Sequence, residues 1–148
     1  MKVSDVMSRG LETCQEEDRL RSVVEKILMR RCGSLPVVND AGALVGIVTI
    51  RDTMLPLYPN YGEYVHDSVH ARDFEEMEDN YKRVLGMKVK EVMTANPMSV
   101  TPDMFVLKAA SFMGLKNLRR MPVCENGELI GMVSIGDITR GLYVHKGV

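Results

Sequence analysis

Apolar positions along the chain follow two rhythms, and the same succession of rhythms occurs twice. Leu20, Val23, Val24, Ile27 and Leu28 recur at the spacing of one face of an amphipathic helix, and Val106, Ala109, Ala110 and Met113 do so again later. Gly114 stands where Leu28 stands in the first copy, and a small residue there predicts closer helix packing in the second. Short apolar runs follow each helix, Leu35–Val38 then Leu44–Ile50, and Met121–Cys124 then Leu129–Ile135; these read as strands. Asn39-Asp40-Ala41-Gly42 and Glu125-Asn126-Gly127 are turn sequences that join each pair as a hairpin. Pro36 and Pro122 each remove a ladder donor, which fits an edge strand or a strand start. Each copy opens with a short segment holding Val6-Met7 or Val92-Met93, followed by an extended stretch near Thr13-Cys14 or Ser99-Val100. Each closes with a helix starting near Asp52 or Asp137.

The two copies align residue by residue. An offset of 86 places Met1, Lys2 and Val3 on Met87, Lys88 and Val89, and Pro36-Val37 on Pro122-Val123. One residue fewer in the second turn makes the offset 85, which places Gly46, Val48, Thr49 and Asp52 on Gly131, Val133, Ser134 and Asp137. The predicted fold is α+β: two β-α-β-β-α repeats over 1–57 and 87–144, separated by a helical insert at 58–86. Neither repeat has core enough to stand comfortably alone, so the two are expected to pack with pseudo-twofold symmetry and leave clefts between matching elements. Within the insert, His66, His70, Phe74, Met77 and Tyr81 recur at helical spacing, which predicts a helix over 63–84. The acidic run Asp73, Glu75, Glu76, Glu78 and Asp79 reads as its solvated face.

Composition narrows the function. The 148 residues are 45% hydrophobic and 26% charged, enough for a soluble core without disulfides or a structural metal. Nineteen Lys and Arg against twenty Asp and Glu give a net charge of −1, so there is no bulk electrostatic case for nucleic acid. No apolar run reaches the roughly eighteen residues of a membrane helix, and the charged N-terminal segment does not read as a secretory signal; a cytoplasmic location is expected. Cys14, Cys32 and Cys124 show no metal-ligand spacing and read as buried small hydrophobes. His66 and His70 lie one helical turn apart, yet without further ligands they read as packed or surface residues rather than a zinc site.

Gly46-Ile47-Val48-Thr49-Ile50-Arg51-Asp52 and Gly131-Met132-Val133-Ser134-Ile135-Gly136-Asp137, each with a Pro-Val strand upstream, resemble the motif of tandem CBS domains, a pair known as a Bateman module. The resemblance implies a non-catalytic regulatory module that binds an adenosine-containing ligand (AMP, ADP, ATP, S-adenosylmethionine or an NAD-type compound) in clefts between paired repeats, and needs no cofactor. It implies that Asp52 and Asp137 hold ribose hydroxyls and that Thr49 and Ser134 meet ribose or phosphate. The base would lie against Thr13, Cys14, Leu35 and Pro36 in one half, and Ser99, Val100, Met121 and Pro122 in the other. Arg119 and Arg120 sit where many members place a phosphate-neutralising pair. Gly33 and Ser34 occupy those positions in the first repeat, where Arg51 stands to compensate. A homodimer is expected from apolar helix faces left exposed, along with an unidentified protein target.

The physical chemistry of the motif suits that use. Unsatisfied amides and the dipole at a helix start favour an anion, and an ionised Asp accepts hydrogen bonds from vicinal hydroxyls. The same Thr/Ser-x-x-Asp spacing also fits a helix capping box, which is expected in the ligand-free protein. Arg30, Arg31, Arg119 and Arg120 also fit helix-end cations. Two other functions compete: a ligand-free scaffold regulating an enzyme or transporter, and a small nucleotide-acting enzyme, against which stands the absence of a GxSxG, Walker A or GxGxxG motif.

Overall fold

The structure, a computed structural model, describes residues 1–58 and 74–147. His66, His70, Tyr61, Tyr64, Asp73 and the first half of the expected insert helix, 63–73, lie outside the described residues.

The chain forms two compact units, and each draws on both repeats. Unit 1 comprises Met1–Leu11, Val38–Leu44 and Asn96–Val148; unit 2 comprises Glu12–Val37 and Val45–Ala95. In unit 2, α2 (Leu20–Arg30) buries Leu20, Val23 and Ile27 and stops at Arg31, whose left-handed φ of 52° lets its N–H close onto the Ile27 carbonyl. Strands β1 (Ser34–Val38) and β2 (Leu44–Thr49) follow, and β3 (Thr94–Ala95) pairs antiparallel with β2, giving the sheet order β1-β2-β3. Pro36 thus lies in an edge strand, and Cys14 lines its outer side by a single parallel bridge to Val37. In unit 1, α1 (Val3–Val6) and α5 (Val106–Lys116) accompany a bulged antiparallel hairpin of β4 (Arg120–Glu125) and β5 (Glu128–Ser134), continued by α6 (Ile135–Lys146). The β4–β5 turn has Asn126 and Gly127 both at positive φ, 53° and 80°, the geometry of a two-residue hairpin turn.

The opening segment of each repeat packs with the core of the other. Val3 N–H donates to the Met104 carbonyl at 2.8 Å and Val106 N–H to the Met1 carbonyl at 3.1 Å in unit 1. In unit 2, Leu20 N–H donates to the Met87 carbonyl and Val89 N–H to the Asp18 carbonyl, each at 2.9 Å. These contacts explain both motif glycines. A Cβ on Gly131 would lie 2.7 Å from the Ser8 carbonyl oxygen and 3.0 Å from Met7 Sδ; one on Gly46 would lie 2.6 Å from Met93 Sδ and 3.0 Å from the Thr94 carbonyl oxygen.

Four sequence expectations are corrected. Leu28 is 67% exposed rather than part of the buried stripe. At about 100° per residue it lies about 80° round from Leu20, on the flank of the buried face. Its counterpart Gly114 faces open space, so the small residue there does not bring a helix closer. The closing element of the first repeat is a pair of short 3-10 turns, Arg51–Thr53 and Leu55–Leu57, because Pro56 supplies no N–H and disfavours the α conformation at Leu55. Finally, Cys32 is half-buried, whereas Cys14 and Cys124 are buried. The described part of the insert holds α3 (Phe74–Asp79) and α4 (Tyr81–Leu85), interrupted at Asn80; Glu75, Glu76, Glu78 and Asp79 are exposed, as the charge pattern predicts, and Val84 is buried. Among the described residues no helix is long and apolar enough to cross a membrane.

Candidate functional site

The sequence-predicted residues fall into two sets, and each set lies within one unit. Thr13, Cys14, Leu35, Pro36, Thr49, Arg51 and Asp52 belong to unit 2. Ser99, Val100, Arg119, Arg120, Met121, Pro122, Ser134 and Asp137 belong to unit 1.

In unit 1 the centre is the start of α6. Ser134 N–H donates to Asp137 Oδ2 at 2.9 Å, and Asp137 N–H donates to Ser134 Oγ at 3.0 Å, a reciprocal capping box. In unit 2 the same box joins Thr49 and Asp52: Thr49 N–H to Asp52 Oδ2 at 2.8 Å and Asp52 N–H to Thr49 Oγ1 at 3.1 Å. The capping reading of the motif is therefore realised in both repeats. It leaves each carboxylate at the mouth of a helical turn, half-buried, with its charge beside backbone amides.

Neighbouring strands bring the other residues alongside. Ile135 N–H donates to the Arg119 carbonyl at 3.0 Å, and Arg120 pairs directly with Ser134 across the β4–β5 ladder. The matching bond in unit 2 runs from Ile50 N–H to the Gly33 carbonyl at 2.9 Å. On the far side of the hairpin, Val100 N–H donates to the Pro122 carbonyl and Cys14 N–H to the Pro36 carbonyl, each at 3.0 Å. Each half thus forms a row of three adjacent backbone segments: the extended residue, the Pro-Val strand and the strand that leads into the capping box.

The side chains divide by burial. Cys14, Leu35, Val100 and Met121 are buried within the hydrophobic cores, so these positions offer a ligand backbone rather than side chain. Burial pushes the Cys14 thiol up to about 12, with Asp18 adding to the effect and Lys26 opposing it. Burial also raises the Cys124 thiol, against a hydrogen bond with Ser99. Both thiols stay protonated and unreactive near neutrality. Thr13 is half-buried, and its carbonyl accepts Lys26 Nζ at 2.8 Å. Arg51, Ser99, Arg119 and Arg120 are exposed. Arg30 pairs with Glu12 at 2.7 Å and Arg31 forms the helix cap, so the basic pair of the first repeat serves structure.

One residue beside the motif was missed from sequence. Arg140 Nη1 lies 3.3 Å from Asp137 Oδ1, one helical turn on. The signal was present: a cation three residues after the motif Asp, with Leu55 at the matching place in the first repeat. Among the described residues no group of His, Cys, Asp or Glu is arranged to hold a metal ion.

Comparison with known proteins places this geometry. A CBS domain family model matches residues 3–57 and 89–143. The chain is 31% identical over 139 residues to the Bacillus subtilis protein YlbB, covering 93% of this chain and 80% of that one. It is 29% identical over 154 residues to MJ1426 of Methanocaldococcus jannaschii, covering 96% and 91%. Among solved structures, CBSX2 in complex with AMP is 26% identical, with a TM-score of 0.75 and coverage of 98% of each chain; CBSX2 is a CBS-pair protein from Arabidopsis thaliana.

Proposed function

Because the chain belongs to the CBS-domain family, we propose that it is a non-catalytic regulatory module that senses an adenosine-containing ligand. The observation that carries this reading is the duplicate arrangement of Thr49 with Asp52 and Ser134 with Asp137. Each pair sits at a helical start beside the backbone row led by Pro36 or Pro122. CBSX2, similar over 98% of its length, was solved with AMP. Asp52 and Asp137 accept the ribose hydroxyls, and Thr49 and Ser134 contact ribose or phosphate. The base lies along Thr13, Cys14, Leu35 and Pro36, or along Ser99, Val100, Met121 and Pro122, chiefly through backbone groups. Arg51 in one half and Arg119 and Arg120 in the other neutralise phosphate. The module needs no cofactor and transmits occupancy to a protein target.

Exposed apolar side chains support self-association. Leu28 and Met29 on α2 are exposed, as are Leu107 and Leu115 on α5 and Tyr143 and Val144 on α6. A twofold homodimer covers such faces; sedimentation showing a concentration-independent monomer at micromolar protein contradicts it.

Thermal denaturation with AMP, ADP, ATP, S-adenosylmethionine and NAD tests the ligand class. A ligand at a hundred times its Kd adds about 2.7 kcal/mol, so the matching compound raises Tm by about 5 °C or more. No shift with any adenosyl compound refutes the reading and favours a ligand-free scaffold.

A further inference from the structure

We propose that Arg140 makes the Asp137 half-site selective for phosphorylated over uncharged adenosyl ligands, by holding the oxygen that ribose needs until a phosphate draws the guanidinium away. This rests on the adenosyl reading and assigns a ligand class to one of its two halves.

Both oxygens of Asp137 are engaged. Oδ2 accepts Ser134 N–H at 2.9 Å, and Oδ1 faces Arg140 Nη1 at 3.3 Å. The Asp137 side chain is only 16% exposed while that of Arg140 is 72% exposed, so the cation approaches the carboxylate from the solvent side. A ribose hydroxyl reaching Oδ1 from solvent must therefore share the approach to that oxygen with Arg140. The contact is long and screened by solvent, and such pairs are held weakly. A guanidinium binds a phosphate through two parallel hydrogen bonds, a stronger and better-defined partner than a single carboxylate oxygen at this distance.

Two further arginines lie on the backbone segment next to the same helix start. Arg120 stands opposite Ser134 in the ladder, and the Arg119 carbonyl accepts Ile135 N–H. A phosphate bound at this helix start lies beside the strand segment that carries Arg119 and Arg120, both exposed, and Arg140 turning toward it releases Oδ1 for the sugar. An uncharged nucleoside offers Arg140 nothing in exchange and bears the cost of displacing it. The first repeat lacks this device: the positions matching Arg119, Arg120 and Arg140 are Gly33, Ser34 and Leu55. The two halves thus differ in the phosphate they demand, although their capping boxes are alike.

The test titrates adenosine and AMP by calorimetry into the full chain carrying Asp52→Asn, so that the heat reports the Asp137 half-site, with and without Arg140→Leu. Leu is the residue at the matching position of the first repeat. Arg140→Leu is expected to tighten adenosine about 2–5-fold, the size of an exposed ion pair, and to weaken AMP about tenfold, the size of one charge-assisted hydrogen bond. Arg140→Lys keeps the charge without the fork and gives an intermediate AMP-to-adenosine ratio. Affinities for adenosine and AMP that both stay unchanged, or shift by the same factor, overturn the role of Arg140 and leave the adenosyl reading intact. A chain with native Arg140 and Asp52 that binds neither compound overturns this inference, and where ADP, ATP, S-adenosylmethionine and NAD also leave its Tm unmoved the adenosyl reading falls with it.

Discussion

Replacing Gly131 by Ala separates two effects of opposite sign. Glycine in a strand costs about 0.5–1 kcal/mol relative to alanine through backbone entropy, so the substitution stabilises wherever there is room. At Gly131 there is none: the new Cβ would sit 2.7 Å from the Ser8 carbonyl oxygen, a backbone atom, and 3.0 Å from Met7 Sδ. Relief requires the opening segment to move. That segment is tied by two hydrogen bonds, Ser8 N–H to the Met132 carbonyl at 2.8 Å and Met132 N–H to the Ser8 carbonyl at 3.0 Å. Overpacking costs about 1–3 kcal/mol and each of the two hydrogen bonds about 0.5–1.5 kcal/mol if lost, so after the entropic gain Gly131→Ala destabilises by about 1–5 kcal/mol, with about 3 kcal/mol as the central value. Gly46→Ala costs less, because the nearest atom there is Met93 Sδ, the movable part of a side chain. Gly114→Ala in α5 meets nothing within 4 Å and gains about 0.5–1 kcal/mol. Urea denaturation monitored by circular dichroism reads all three; Gly131→Ala is expected to lower the midpoint by about 1–2 M at unchanged slope. A Gly131→Ala protein as stable as the parent refutes the packing of the first opening segment on β5.

Further outcomes concern charge. Asp137→Ala removes the carboxylate from its capping box and costs about 1 kcal/mol, whereas Asp137→Asn keeps an acceptor for Ser134 N–H and costs less; equal melting temperatures for the two variants contradict the box. Glu17 is bonded to Lys88 and Lys90 at 2.7 Å each, and these hydrogen bonds pull its carboxyl from an ordinary 4.5 down to about 2. A lowered folded-state pKa stabilises above the ordinary value and is lost as pH falls from about 4.5 to about 2. Glu17→Gln therefore loses less stability than the parent between pH 7 and pH 3, by a small and salt-sensitive margin because the pair is exposed; identical losses show the lysines do not hold Glu17. Iodoacetamide at pH 8 modifies half-buried Cys32 ahead of buried Cys14, whose thiol is pushed up to about 12; Cys14 reacting first contradicts its burial.

Hydrophobic spacing located α2, α5 and both hairpins because each carries several apolar positions whose period can be read. The stripe was overextended by one residue at Leu28, since periodicity marks a face but not where the face ends. Strand β3, two residues long, is too short to show a period. Its pairing with β2 depends on Gly46 leaving room beside Thr94. Which opening segment joins which core was not legible, because Val3 and Met7 are chemically interchangeable with Val89 and Met93. Only the tertiary structure assigns Met7 to Gly131 and Met93 to Gly46. The motif residues were readable because they recur, and for the same reason Arg140 was passed over: it belongs to one repeat only. Composition could not tell the burial of Cys14 and Leu35 from availability to a ligand, since an apolar side chain serves a core and a binding wall equally well.

The account turns on whether Asp52 and Asp137 hold a sugar diol. Calorimetric titration of AMP into the full chain and into the Asp52→Asn, Asp137→Asn double variant measures this directly, because Asn preserves an acceptor for each capping amide while removing the charge that ribose hydroxyls would meet. The account predicts AMP binding by the parent and a loss of about tenfold or more in the double variant, with the melting temperature close to that of the parent. Equal affinity in both proteins, or no binding to a parent whose Tm no other adenosyl compound raises, contradicts it.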